Sequence, residues 1–217
     1  MAKVTYILLI EKNGGISLQT LISKSANAKE VLLIHGTKAL PNPAKRHWPS
    51  KFISYLEEVF GTTPQSLEWS GNVHKKARAA AARDVFDYAV TLYKTNPSAQ
   101  LCIIGYSHGG NIAIEAINRL ANETNFPIDK QITLITIATP IRPIYQLNTN
   151  VCLHVNAYNH LDFMQLFGQL GEGTTVRDLG IRHFKGAENR IAKRYVGHLF
   201  MHSNERFWKS HIEEYLM

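Results

Sequence analysis

LCIIGYSHGGNIAIEA, residues 101–116, joins an apolar run to a helix-period pattern through Gly105-Tyr106-Ser107-His108-Gly109. A G-x-S-x-G string set between a strand and a helix is the setting in which a serine is held at a sharp strand-to-helix turn. The flanking glycines remove Cβ atoms that would collide with the neighbouring strand and helix. The serine then stands above the carboxyl ends of the strands, over a helix N-terminus that favours negative charge. The competing reading of Ser107 is a serine in an ordinary glycine-rich loop, and the strand and helix patterns around it favour a nucleophile.

Outward from this stretch, short β-branched runs alternate with helical ones. Strands are read at 4–11, 18–23, 31–36, 66–71, 101–106, 132–139 and 151–158, with a less regular one near 189–196. Helices are read at 49–60, 75–94, 109–123 and 203–216, the last opening on Ser203 and Asn204 as candidate N-caps. Such alternation predicts an α/β protein with a mostly parallel central sheet and helices on both faces. The longest region without clear structure runs from about 159 to 188, and long loops in compact α/β domains often carry function. No internal repeat or linker interrupts the pattern, so residues 1–217 are read as a single domain.

Lys and Arg number 24 against 17 Asp and Glu, a formal net charge of +7. The excess is scattered over 45–51, 74–83 and 190–194 and builds no long basic arm. It is read first as a solvated surface, and second as a patch for an anionic partner. No nucleic-acid partner is expected, and the basic surface leaves peripheral membrane contact open. Cys102 and Cys152 lie inside apolar runs, where a thiol behaves as a small hydrophobe, so no disulfide is expected. The first residues resemble neither a secretory leader nor a membrane span, which makes a cytoplasmic location the default while leaving signal-independent export open.

A serine hydroxyl needs a base to take its proton, and the base needs a carboxylate to fix its tautomer. On a sheet of this kind they follow in the order Ser, acid, His. Asp84 and Asp87 precede the serine, and Asp129 lies at the wrong end of the sheet. Asp162, a few residues past a strand's carboxyl end, is the favoured acid, with Asp178 read as a surface-loop residue. Of ten histidines, His198 is favoured as base because it follows the last strand and a glycine. His202, one helical turn later, competes with it, and His183 follows. The His198/His202 spacing also suits a metal, but HLFMH lacks the glutamate of a zinc peptidase helix and no third ligand suggests itself, so no metal or cofactor is expected. An oxyanion needs two oriented backbone N–H donors. They are assigned to His108, after the serine, and to Thr37, after His35-Gly36, with His35 itself read as structural.

VLLIHGT, LCIIGYSHGGNIA, ITLITIATP, NHLDFMQ and VGHLFMHSNERFW, in this order and over most of the chain, resemble the α/β-hydrolase superfamily. The most similar variant is the small cap-less group of bacterial serine esterases and lipase-like proteins that carries G-H-S-H-G-G-N. The resemblance implies Ser107, His198 and Asp162 as triad, with the Thr37 and His108 amides as oxyanion hole. Tyr106 departs from the histidine often found before the serine and is expected to leave the chemistry unaffected. Asn72 and Arg78 are expected to hold loops together. Residues 141–161 are too few for an inserted cap, so the site should be open. Leu40, Trp48, Ile141, Tyr145, Phe163 and Phe167 are on loops that could touch substrate, although each is at least as plausible as a core or rim residue. The expected function is hydrolysis of a small-molecule or lipid carboxylic ester through an acyl-enzyme. The alternative is a catalytically silent binding protein on the same fold, docking to an anionic partner through its basic surface.

Overall fold

The run around the serine forms the strand expected of it, and its side chains sort onto two faces. A computed structural model describes residues 4–10, 16–22, 29–37, 48–123, 128–151, 153–170, 174–192, 198, 201–202 and 204–215, with backbone alone for those before 29. Strand β5 (Gln100–Tyr106) is buried from Leu101 onward. Leu101 and Ile103 face one apolar cluster, whereas Cys102, Ile104 and Tyr106 face another. The same alternation holds in β3 (Lys29–Ile34), where Leu32 and Ile34 oppose Val31 and Leu33. A strand covered on both faces reads as a continuous hydrophobic run, and that is why no polar alternation marks these segments.

Six strands form the main sheet in the order β4-β3-β5-β6-β7-β8, and every adjacent pair is parallel. The remaining members are β4 (Gln65–Leu67), β6 (Ile132–Ile137), β7 (Leu153–Tyr158) and β8 (Glu188–Ile191). Helices α2 (Lys75–Thr95) and α3 (His108–Glu123) cover one face, and α1 (Ser50–Phe60) and α5 (Glu205–His211) the other. The small Ala81, Ala82 and Ala89 of α2 are buried and keep that helix close to its neighbours. Helix α1 ends at Gly61 in the left-handed conformation (φ 69°), whose N–H donates to Glu57 O at 2.8 Å. Strands β1 (Val4–Ile10) and β2 (Ile16–Ile22) pair antiparallel as a sheet of their own.

Several boundaries differ from expectation. The strand expected over 66–71 is only three residues long, because beyond Leu67 the chain turns to bury Trp69, whose Nε1–H donates to His35 O at 3.0 Å. The region of about 159–188 contains a short helix, α4 (Phe163–Phe167), and a 3-10 turn over Val176–Asp178. Helix α5 starts at Glu205 with Asn204 as its cap, the Asn204 side chain accepting from Phe207 N–H at 3.1 Å. Nothing is inserted between β6 and Asp162 except β7 and its loops. Leu40, Cys152, Ser203, residues 45–47 of the first basic cluster and 193–194 of the last lie outside the described residues. Among the described residues, no helix is long and apolar enough to cross a membrane.

Candidate active site

Ser107 lies between β5 and α3 with φ 53°, in the left-handed region that a non-glycine residue rarely adopts. It is held there from two sides. Its N–H donates to Ile137 O at the end of β6 (2.8 Å), and its C=O accepts from Gly110 N–H (3.0 Å). A Cβ on Gly105 would lie 2.5 Å from Gly110 Cα, and one on Gly109 would strike the backbone carbonyls of Ile34 and His35. The glycines are therefore what lets α3 start directly against β3 and β5. Strain kept at one residue by surrounding structure is a mark of functional sites.

Three of the residues singled out above meet here. The Ser107 hydroxyl donates to His198 Nε2 at 2.9 Å, and His198 Nδ1–H donates to Asp162 Oδ2 at 2.8 Å. A carboxylate only accepts, so this contact puts the proton on Nδ1 and leaves Nε2 of the neutral ring free to accept from the serine. Asp162 is 1% exposed and its two oxygens are divided, since Oδ1 caps α4 by accepting from Gln165 N–H at 2.9 Å. Its own N–H donates to Asn159 O (3.1 Å), and Asn159 Nδ2–H donates to Ala192 O (2.7 Å), which fixes the loop to the end of β8. Gln165, fully buried, donates from Nε2 to Thr139 O at 2.7 Å and anchors the helix beneath.

The competing histidines and acids are engaged elsewhere. The His202 ring stacks on Tyr106 (4.1 Å between centroids) and meets Trp48 edge-on (5.1 Å). Burial, and then the nearby His198, lower its pKa to about 4. His183 pairs with the Tyr158 hydroxyl, and Asp178 closes a capping box with Thr175. His35 is structural in its contacts, stacking on Trp69. Arg78 donates from Nε to Tyr145 OH at 3.0 Å and from Nη1 to Val73 O, while Asn72 accepts from His74 N–H at 3.2 Å, so both hold loops together.

Of the two donors expected to face an oxyanion, His108 directly follows the serine and Thr37 follows Gly36, which packs against it. His108 is the first residue of α3, so its amide has no acceptor inside the helix. A Cβ on Gly36 would lie 2.8 Å from Ser107 Cβ, so the chain entering Thr37 passes directly against the serine. The His108 ring is buried beside Asn111 (3.1 Å). Its pKa is lowered to about 3, by burial first and then by the Arg142 and Arg78 guanidiniums and the nearby His198.

Of the candidate substrate contacts, Trp48, Ile141 and Tyr145 are core residues, whereas Phe163 and Phe167 are exposed. Tyr106, whose difference from histidine is expected to leave the chemistry unaffected, has a contact that the sequence reading did not anticipate. Its hydroxyl donates to the His198 main-chain carbonyl at 2.8 Å and so braces the backbone that carries the imidazole. Gln165 was also missed, although Asp162-x-x-Gln165 is a recognisable start signal for a helix.

No protein-family model matches the sequence, and no curated protein matches it significantly. Solved structures do match. The protein Atu2452, of unknown function, from Agrobacterium tumefaciens str. C58 aligns at 13% identity over 88% of this chain and 91% of that one, with a TM-score of 0.54. The Francisella virulence factor BioJ aligns at 14% identity over 98% of this chain and 84% of that one, with a TM-score of 0.52. XC6422 from Xanthomonas campestris, described as an α/β serine hydrolase without lid, aligns at 12% identity over 99% and 92%, with a TM-score of 0.49. Against lysin B from Mycobacteriophage D29, the chain spans 48% of that protein's length. The chain has the α/β-hydrolase fold, and among the described residues no cap is inserted between β6 and Asp162.

Proposed function

We propose that the protein is a serine hydrolase of carboxylic esters, working through an acyl-enzyme. The observation that carries this reading is the hydrogen-bonded series from Ser107 through His198 to the buried Asp162, with the serine in a strained backbone conformation. Ser107 Oγ attacks the ester carbonyl carbon while His198 Nε2 takes the hydroxyl proton. Asp162 holds the imidazole's orientation and stabilises the imidazolium. The negative charge on the carbonyl oxygen is met by the Thr37 and His108 amides, in the field of Arg142 and Arg78. The oxygen–carbon bond to the leaving group then breaks, His198 gives its proton to the departing alkoxide, and the alcohol leaves. A water molecule, deprotonated by His198, attacks the acyl carbon. The carboxylic acid is released and the serine recovers its proton.

The test is a fluorophosphonate probe together with short p-nitrophenyl esters. Wild-type protein is expected to be labelled and to turn over the esters, and Ser107→Ala to do neither. Folded wild-type protein that is neither labelled nor active would overturn the reading. His198→Ala is expected to lose turnover, whereas a dead His202→Ala beside an active His198→Ala would move the base.

A further inference from the structure

Among the described residues, eleven large apolar side chains are exposed, and eight of them fall within residues 161–181. Single exposed hydrophobes are ordinary, but such a concentration in one short segment marks an interaction surface. The short α4 is turned inside out. Its polar Gln165 is fully buried, while Phe163, Met164 and Phe167 are 64%, 53% and 62% exposed. Leu170 (52%) and Val176 (85%) continue the surface. We propose that the exposed apolar side chains of residues 161–170 and 174–181 form a membrane-docking surface, which seats the Ser107 site on a lipid layer containing acyl esters. The proposal rests on the ester-hydrolase reading above and names the phase from which the substrate comes.

The surface is a fixed platform. Arg142 donates from Nε to Gly168 O (2.7 Å) and from Nη2 to Leu170 O (3.2 Å). Gln169 accepts from Gly180 N–H and from Arg182 Nη1–H, both at 3.0 Å, and so ties the end of α4 to the stretch that carries Leu179 and Ile181. Apolar groups held outward by buried polar anchors can enter an apolar phase without first reorganising.

Position argues for lipid as the occupant. The surface begins beside Asp162, whose carboxylate accepts from His198, so a layer resting on it lies next to the Ser107 site. A protein partner or a second copy bound there would bring no ester to that site. A lipid layer covers the same surface and delivers ester to it. Charge agrees with this. The chain as a whole carries a net +7, while within the segment exposed Arg177 is balanced by Asp178, whose hydrogen bonds from Thr175 hold its carboxyl below the usual range. Apolar insertion by a protein of net positive charge is one way peripheral proteins hold an anionic layer.

The experiment measures co-sedimentation with phosphatidylcholine vesicles, with and without phosphatidylglycerol. It uses Ser107→Ala protein so that no lipid is consumed. Binding is expected, stronger with phosphatidylglycerol and weakened by salt. Adding Met164→Ser, Leu170→Ser and Val176→Ser should lower partitioning at least roughly tenfold with an unchanged thermal midpoint. In the active protein, the same three substitutions should leave turnover of a short soluble ester unchanged and reduce turnover of a vesicle-embedded long-chain ester in step with binding. Absence of vesicle binding, or equal binding by the substituted protein, would overturn the docking surface even if soluble esters are cleaved. A dimer in sedimentation that the three substitutions dissociate would assign the surface to a second copy and overturn it too. Vesicle binding that the substitutions abolish, in a protein cleaving no ester, would retain the surface and reject the ester-hydrolase reading instead.

Discussion

Asp162 serves two partners with two oxygens, and that division separates its chemical role from its structural one. Oδ2 accepts from His198 and Oδ1 from the α4 amide of Gln165. Asparagine caps a helix about as well as aspartate but cannot stabilise an imidazolium, and it offers His198 a donor where an acceptor is needed. Asp162→Asn is therefore expected to keep the wild-type thermal midpoint while kcat falls on the order of a thousandfold or more. Asp162→Ala loses the cap as well, which costs about 1 kcal/mol of stability. Equal destabilisation by the two variants would mean that the charge, not the cap, holds the loop. Tyr106→Phe tests the brace on the His198 backbone in a similar way. Its ring still stacks on His202, but the His198 carbonyl loses a hydrogen bond worth about 1 kcal/mol. A several-fold fall in kcat at constant KM is expected, and a loss of stability with kcat unchanged would reduce Tyr106 to packing. Ser107, Asp162 and His198 were legible in the sequence because each follows a strand end in a fixed order. Tyr106 was not, because its partner is a main-chain carbonyl 92 residues away and no side-chain pattern reports such a contact.

Helix α3 reaches its place through two consecutive glycines whose constraints differ in kind. A Cβ on Gly109 would meet the Ile34 and His35 carbonyls of the backbone leaving β3. Backbone cannot be trimmed, so Gly109→Ala has to push the helix off the sheet and with it the Ser107 turn. A Cβ on Gly110 would instead meet the Thr139 side chain. Gly110→Ala should therefore be destabilising by roughly 1–3 kcal/mol, as overpacking is, and substantially rescued when combined with Thr139→Ala. No partner substitution should rescue Gly109→Ala. A double-mutant cycle on urea unfolding checks this, the coupling between positions 110 and 139 being the quantity of interest. Equal and additive losses at both glycines would remove the distinction. The long helices were legible from their apolar period. Helix α4 was not, since its five residues give no period to read and its exposed face is the apolar one. The edge strand β4 was overread for a related reason, as Trp69 continues the apolar pattern from the irregular chain beyond the strand.

Across the whole molecule, the two-sided core that makes the strands legible also buries groups that titrate near neutrality. His108 at the start of α3, His154 in β7 and His202 before α5 come from three separate parts of the fold. Their pKa values fall from 6.5 to about 3, about 4 and about 4 respectively. Burial is the leading cause in each. Arg142, Arg78 and the nearby His198 add to it at His108, and His198 adds to it at His202, while at His154 burial acts alone. The unfolded chain takes up protons on these imidazoles as pH drops below 6.5, and the folded protein does not until about pH 4 or lower. Between those limits the unfolded state binds more protons, so stability rises with pH and is lost on acidification. One such group contributes a slope of at most about 1.4 kcal/mol per pH unit, and three together at most about 4. Urea unfolding followed from pH 7 to pH 4 should show stability falling steadily below pH 6.5. His154 is the position at which to check the cause, because it lies away from Ser107 and bonds to Thr136 Oγ1 through Nε2 at 3.1 Å. His154→Gln should flatten the slope by up to one proton's worth while leaving ester turnover at neutral pH unchanged. A stability that stays level from pH 6.5 to 5 in the wild type would mean that these imidazoles are hydrated or charged in the folded protein.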